Sequence, residues 1–158
     1  MAKAPPIEDL LSDERITLWG LFVEAHALIT RKLTAELQEA TGVPNSWFEV
    51  LLRIGRTPGQ AVPMTALANM VTFSSGGFTK LADRMEAAGL IKRMPCPGDR
   101  RSLLATLTDE GREVLRKGLE VHVPGLDEHV LAHLTERDRT QLERILRTLR
   151  SAHTDCPG

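Results

Sequence analysis

The stretch from Pro63 to Leu107 constrains the fold of this 158-residue chain more than any other part. Apolar positions at three- and four-residue steps predict a short helix over residues 65–71 and a second helix over residues 74–88. The turn between them contains Ser74, which is predicted to cap the second helix. Gly89 is predicted to end that helix, because glycine readily takes the left-handed conformation that follows a helix. Two helices joined so closely form a helix-turn-helix arrangement.

A predicted β-hairpin follows the second helix. Residues 90–94 and 103–107 are typical of short strands, and residues 95–102, with Pro97-Gly98-Asp99, are typical of a turn-rich loop. Between Lys80 and Arg101 the sequence has six cations and three anions, although the net charge of the whole chain is -1. One basic patch on an otherwise acidic chain suits a protein that binds DNA on a single face.

Amphipathic helices flank this stretch on both sides. The first is predicted from Ser12 to Thr41, and the next begins at a capping box over residues 46–49. After the hairpin, Thr108 is predicted to cap a helix that kinks or breaks at Pro124-Gly125, and Thr135 with Asp138 starts the last helix. The apolar surface of these helices exceeds the need of one small domain. Part of it is assigned to the intrachain core and part to a dimer interface, with four candidates in the last helix: Leu142, Ile145, Leu146 and Leu149.

The fold class predicted from these elements is mainly α, with about six helices and a small β-hairpin wing. The whole chain, residues 1–158, is interpreted as a single domain. Within it, residues 46–108 form a winged helix-turn-helix lobe, and residues 12–42 and 109–152 form a helical dimerisation region.

Composition excludes several other classes of protein. With 42% hydrophobic and 26% charged residues the chain is typical of soluble globular proteins. It has no apolar run near the ~20 residues that span a bilayer, and no apolar segment typical of a signal peptide follows the first residues. The expected location is therefore the cytoplasm. Cys96 and Cys156 are too few for a disulfide framework and are interpreted as free thiols.

From about Met64 to Val114 the chain resembles the MarR family of bacterial winged helix-turn-helix regulators. Three elements in this order and spacing make the resemblance specific: Glu-x-x-Gly-Leu at residues 86–90, Asp-x-Arg at 99–101 and Leu-Thr-x-x-Gly at 107–111. The resemblance implies a homodimeric transcriptional regulator, with repression as the expected sign. Two recognition helices about 34 Å apart would then read a pseudo-palindromic operator in double-stranded DNA.

The predicted DNA contacts lie at the start of the recognition helix and in the wing. Side chains there must be small or able to hydrogen-bond, so that the backbone approaches phosphate and side chains reach base edges. Residues that meet this requirement are Ser74, Ser75, Gly76, Gly77, Thr79 and Lys80, and Arg84 adds a cation. Two early glycines cost a helix about 1 kcal/mol each. Close approach to DNA explains them as well as a structural cause does, namely close packing against the preceding helix or a frayed first turn.

By the resemblance, Asp99 and Arg101 form the wing-tip pair. A carboxylate two residues away orients the guanidinium, which then enters the electronegative minor groove. Arg100 would contact phosphate or the same groove. The alternative is a solvated charged loop, since exposed ion pairs contribute only ~0–1 kcal/mol.

The resemblance also implies a small-molecule effector, commonly an aromatic compound or an organic anion. Its expected site is a cleft between the dimer helices and the DNA-binding lobe, with aromatic walls and a few polar groups. Its candidate lining residues are Arg15, Trp19, Phe22, His26, Trp47 and Leu51. Plain core positions are the alternative for Trp47 and Phe22, and a hydrogen-bonded core histidine is the alternative for His26.

No cofactor, metal or catalytic residue is expected. His129 and His133 have the helical spacing of a zinc site, but His122 and Asp127 nearby give no convincing third ligand. A redox switch at Cys96 is a further alternative. The peroxide-sensing branch of the family, however, has a cysteine near the start of the first helix and tyrosine partners, and this chain has neither. No nucleophile–base pair, phosphate-binding loop or paired carboxylate indicates an enzyme.

Overall fold

The computed structural model describes residues 6–70, 75–97 and 99–153. Within them the chain forms seven α-helices, two short 3₁₀ helices and one three-stranded antiparallel sheet, so the predicted fold class is confirmed. The helices are α1 (Ile7–Leu11), α2 (Glu14–Thr41), α3 (Asn45–Arg56), α4 (Met64–Met70), α5 (Ser75–Ala87), α6 (Asp109–His129) and α7 (Glu136–His153). The strands are β1 (Ala61–Pro63), β2 (Ile91–Cys96) and β3 (Asp99–Leu107), in the sheet order β1-β3-β2.

The chain divides into two compact units. The helical unit comprises Met1–Leu33 and Leu126–Gly158, and the winged unit comprises Thr34–Gly125. Both boundaries fall inside a continuous helix, in α2 and in α6. None of the described helices is long and apolar enough to cross a membrane.

The winged unit contains every buried hydrophobic side chain among the described residues. Helix α3 buries one face in this core. Helix α5 contributes residues at helical spacing and the strands contribute residues at alternating positions, as packing against a shared core requires. The largest fully buried side chains are Leu37, Phe48, Val50, Leu51, Ile54, Leu67, Met85 and Ile91. This core fixes the position of α5 relative to the sheet.

A corner of the winged unit joins the end of α5 to the start of α6. Gly89 has a φ of +73°, which confirms that it ends α5 in the left-handed conformation. The Thr108 hydroxyl donates a hydrogen bond to the Gly89 carbonyl at 2.6 Å and accepts one from the Gly111 N–H at 2.9 Å. A Cβ on Gly111 would lie 1.9 Å from the Leu90 carbonyl oxygen. The Gly-Leu and Leu-Thr-x-x-Gly motifs therefore meet at a backbone contact that requires glycine.

Helix α6 makes a second close contact through glycine. A Cβ on Gly118 would lie 2.5 Å from the Phe48 ring and 3.0 Å from the Leu37 side chain. Three glycines of α6 are buried at seven-residue intervals, namely Gly111, Gly118 and Gly125. Since residues seven apart share one face of a helix, this face of α6 packs closely against the rest of the winged unit at Gly111 and Gly118.

Several predicted boundaries change. Helix α3 begins at Asn45 with no side-chain cap, so the predicted capping box at residues 46–49 is wrong: Ser46 already lies within the first turn. Of the two outcomes predicted at Pro124-Gly125, the break is wrong, because α6 continues to His129 and the loss of one hydrogen bond at an exposed position is tolerated. The kink stays a prediction. Thr135 and Asp138 do form a reciprocal cap, with N–H to oxygen distances of 3.1 and 3.3 Å.

Two short elements were not predicted. Helix α1 has five residues and strand β1 has three, too few to show a hydrophobic period. The hairpin strands are longer than predicted, since β2 reaches Cys96 and β3 begins at Asp99. Pairing between Cys96 and Asp99 extends the ladder into a segment whose proline, glycine and arginine content is typical of a loop.

Candidate nucleic-acid interface

Helices α4 and α5 form the two helices of the predicted helix-turn-helix. The turn between them, residues 71–74, lies outside the described residues, and with it the predicted cap at Ser74. The apolar positions predicted for α5 are all buried, namely Phe78, Leu81, Ala82 and Met85. The opposite face of α5 is exposed and carries Thr79, Lys80, Asp83 and Arg84. One face of α5 is therefore packed into the core, and its exposed face is polar and able to hydrogen-bond.

The hairpin beside α5 has a tight connection. Cys96 pairs with Asp99, so two residues, Pro97 and Gly98, separate the strands. The register shifts between Pro95 and Cys96, where β3 has three more residues than β2. Asp99, Arg100 and Arg101 thus begin β3 directly after the turn instead of lying within a long loop. A shift of this kind strengthens the local twist of a hairpin end.

One ion-pair cluster joins α5 to β2 and is the best-defined polar feature of this surface. The Arg93 guanidinium lies 2.8 Å from Asp83 Oδ1 and 2.5 Å from Glu86 Oε2. Its Nε also donates to Glu86 Oε2 at 2.8 Å, and the main-chain N–H of Arg93 donates to Glu86 Oε1 at 2.9 Å. Glu86 is thereby held by both the side chain and the backbone of one strand residue. We call Asp83, Glu86 and Arg93 the helix–wing cluster.

The helix–wing cluster perturbs its own ionisation. Hydrogen bonds from the Arg93 side chain, followed by that from its backbone, lower the pKa of Glu86. The same hydrogen bonds to Glu86, with a smaller contribution from Asp83, raise the pKa of Arg93. Glu86 and Arg93 therefore stay charged near neutral pH.

The sequence predicted no contact among these three residues: Asp83 and Arg93 were noted as charges, and Glu86 as the first residue of the Glu-x-x-Gly-Leu motif. A signal was nevertheless present: a glutamate in the last turn of a helix is opposed by the helix dipole and is expected to need a cation. The cation that pairs with this glutamate is determined by the strand register. That register follows from pairing between residues distant in sequence.

The helical unit contains an apolar groove between α2 and α7. Its volume is about 460 Å³. The groove is lined by Arg15, Leu18, Trp19 and Phe22 from α2 and by Leu142, Ile145, Leu146 and Leu149 from α7. All four predicted dimer residues and three of the six predicted effector residues thus line one groove. The Trp19 and Phe22 rings stack there with centroids 5.8 Å apart.

The remaining effector candidates lie elsewhere. His26 is exposed further along α2, with its Nε2 3.5 Å from the Thr30 hydroxyl. Trp47 is partly buried against the core of the winged unit, and Leu51 is fully buried within that core. Arg15 is exposed and donates two hydrogen bonds to the Asp13 carboxylate, which raises the pKa of Arg15.

Among the described residues, no three His, Cys, Asp or Glu side chains are grouped as metal ligands. His122 instead packs against Phe48 in the winged unit, with ring centroids 5.1 Å apart. Cys96 is a half-buried free thiol at the end of β2, and its sulfur lies 3.7 Å from the Pro97 carbonyl oxygen.

The sequence matches the model of the MarR family over residues 41–102. It is similar to the HTH-type transcriptional regulator PecS of Dickeya dadantii (strain 3937), with 32% identity over 100 residues. That match covers 63% of this chain and 60% of PecS, so the chain spans about three fifths of this relative.

Two solved structures are similar over nearly their whole length. Sco3205, a MarR family transcriptional regulator from Streptomyces coelicolor in complex with DNA, has a TM-score of 0.81 and 29% identity over 91% of this chain and 94% of that one. AbsC, a MarR family transcriptional regulator from the same organism, has a TM-score of 0.80 and 30% identity over 89% of this chain and 95% of that one.

Proposed function

This chain belongs to the MarR family of transcriptional regulators, and from that premise we propose that it binds double-stranded DNA sequence-specifically, as a homodimer on a pseudo-palindromic operator. Its family is one of regulators and not of enzymes. The proposed site of action is the cytoplasm, where the DNA of a bacterial cell lies.

The observation that carries the proposal is the arrangement of α5. This helix buries four apolar residues and directs Thr79, Lys80 and Arg84 outward, beside a hairpin whose β3 begins with Asp99-Arg100-Arg101. A helix in the major groove and a wing arginine in the adjacent minor groove would use these two elements together. Ser74, Ser75, Gly76 and Gly77 complete the proposed helix contacts.

DNA binding is tested by measuring affinity for fragments selected from the source genome at several salt concentrations. Contacts to phosphate release counterions, so the logarithm of affinity is expected to fall linearly with the logarithm of salt concentration. Affinity that does not respond to salt would remove the basis of the proposal.

Dimerisation is supported by the groove of the helical unit. Trp19 is 66% exposed and Phe22 is 48% exposed in the single chain, an unfavourable state for large apolar side chains. Burial of apolar surface contributes roughly 25 cal/mol per Å². We propose that a second copy of the chain covers this groove.

The change Leu146→Asp is expected to convert the dimer to a monomer, because it would bury an unpaired carboxylate in the interface. Light scattering coupled to size exclusion measures the mass. Arg144→Asp introduces the same residue on the opposite face of α7 and should leave the dimer intact. A dimeric Leu146→Asp variant would contradict the assignment of this groove.

The proposed sign of regulation is repression, which a dimer would exert by excluding polymerase if its operator overlaps the promoter. We propose release by a small aromatic or anionic ligand that would bind between the two copies where they meet at this groove, with the stacked Trp19 and Phe22 rings as an aromatic wall and Arg15 as the cation. Such a ligand acts only if it binds the DNA-incompetent form more tightly. Titrating aromatic acids into the protein–DNA complex tests this: release of DNA supports it, and unchanged affinity across the series opposes it.

A further inference from the structure

We propose that Arg93 is a positioning residue of the DNA interface, which fixes the wing to the recognition helix so that both meet the duplex as one body. The inference rests on the proposed DNA binding through α5 and the hairpin. It assigns a function to the helix–wing cluster, whose residues were not among the predicted DNA contacts.

The cluster differs from an ordinary surface ion pair in the elements that it joins. Arg116 also pairs with two carboxylates, Glu113 and Glu120, but all three lie on α6 within one or two turns. Such pairs stabilise a helix locally by a few tenths of a kcal/mol. Arg93 lies on β2, and its partners lie seven and ten residues earlier, on α5. Its bonds therefore restrain one element relative to another.

The geometry of the bonds makes this restraint directional. Two guanidinium nitrogens of Arg93 donate to Glu86 and a third contacts Asp83, while the backbone N–H of Arg93 holds the second oxygen of Glu86. A planar fork bound to two carboxylates has little rotational freedom. Because the backbone also takes part, the strand itself is fixed, as well as a side chain. The Arg93 side chain is only 24% exposed, so solvent screens the cluster less than it screens Arg116.

The location of the cluster links it to both proposed DNA contacts. Asp83 follows Lys80 by one helical turn on the exposed face of α5, and β2 leads from Arg93 to the turn that precedes Arg101. Two contacts on one rigid body reinforce each other, because binding of the first raises the effective concentration of the second. If the restraint were lost, the wing would add less to the affinity of the helix.

The charge balance gives a second reason for the arrangement. Asp83 and Glu86 are two carboxylates on the helix proposed to approach phosphate, where negative charge is unfavourable. Arg93 offsets one of these charges and draws both carboxylates toward β2. Charge alone, however, would act independently of the wing arginine. Only positioning makes the effect of Arg93 depend on Arg101.

A double-mutant cycle measures that dependence. Arg93→Gln is expected to weaken binding to a selected operator duplex by roughly tenfold. In an Arg101→Ala background the same change should cost less than about twofold, since the main wing contact that Arg93 positions is then absent. Arg93→Lys keeps the charge without the fork and should give an intermediate loss. Arg116→Gln, the matched control, should bind as the parent does. If Arg93→Gln fails to fold, Glu86→Gln replaces it in the same cycle.

The outcomes separate this inference from the function on which it rests. A parent protein without salt-dependent DNA binding would overturn the proposed function itself. If the parent binds DNA and Arg101→Ala weakens it, but Arg93→Gln has parental affinity, only the positioning role is overturned. Losses that simply add in the double variant would overturn it as well, because they would show that Arg93 acts independently of the wing.

Discussion

Arg101→Ala is expected to weaken operator binding by about 10- to 100-fold, the range typical of losing one specific arginine contact. Arg101 lies at the start of β3, two residues after Asp99 and directly beyond the tight turn of the hairpin. A guanidinium there would enter the narrow minor groove, whose negative potential is strongest where the groove is narrowest. Fluorescence anisotropy with a labelled duplex measures the loss.

Two measurements test whether this variant keeps the fold and the mass of the parent protein. Light scattering and far-ultraviolet circular dichroism should give the parental mass and helicity, because the change is made at the start of β3, outside every helix described. Arg150→Ala, an arginine substitution at the end of α7, should leave affinity nearly unchanged. An Arg101→Ala variant that binds as tightly as the parent would show that the wing has been assigned wrongly.

Gly111→Ala is expected to lower the free energy of unfolding by about 2–4 kcal/mol, as overpacking at a rigid site does. The added Cβ would lie 1.9 Å from the Leu90 carbonyl oxygen and 2.9 Å from its carbonyl carbon. Both neighbours are backbone atoms, so no side chain can rotate away. Relief requires α6 to move away from residues 89–90, which would also disturb the hydrogen bonds of Thr108.

Chemical denaturation followed by circular dichroism measures this change. Glu110→Ala is the control, since it introduces the same residue at the preceding, exposed position of α6. It should cost less than about 1 kcal/mol, mostly through the lost interaction with the helix dipole. A Gly111→Ala variant as stable as this control would mean that the backbone at the corner between α5 and α6 can move apart at little cost in free energy.

Residues with a strong local signal were predicted well. Gly89 and the Thr108 cap follow from rules that act within one helical turn, and the buried face of α5 follows from the helical period. The capping box at Ser46 was wrong because Pro44 allows the helix to begin one residue earlier, at Asn45. Proline has a fixed φ and no side-chain acceptor, and its carbonyl accepts the hydrogen bonds of the Trp47 and Phe48 N–H groups.

Features set by distant contacts could not be predicted. The requirement for glycine at position 111 depends on Leu90, twenty-one residues earlier in the sequence. The helix–wing cluster depends on the pairing of β2 with β3, which places Arg93 beside α5. Leu51 was a candidate for the lining of the ligand site, but it is fully buried in the core, and burial there is decided by the packing of several elements. The helical period alone does not distinguish a residue that lines a ligand site from one that is buried in the core.

The groove of the helical unit shares no residue with the surface of the winged unit proposed to read DNA. This separation has a genetic consequence. If the chain dimerises as proposed, a chain that lost its wing arginine would still pair with an intact chain, and the mixed dimer would have one intact wing instead of two. In a cell that makes both chains, most dimers would contain a faulty copy. Such an allele should therefore be dominant, whereas an allele with a defective groove should be recessive.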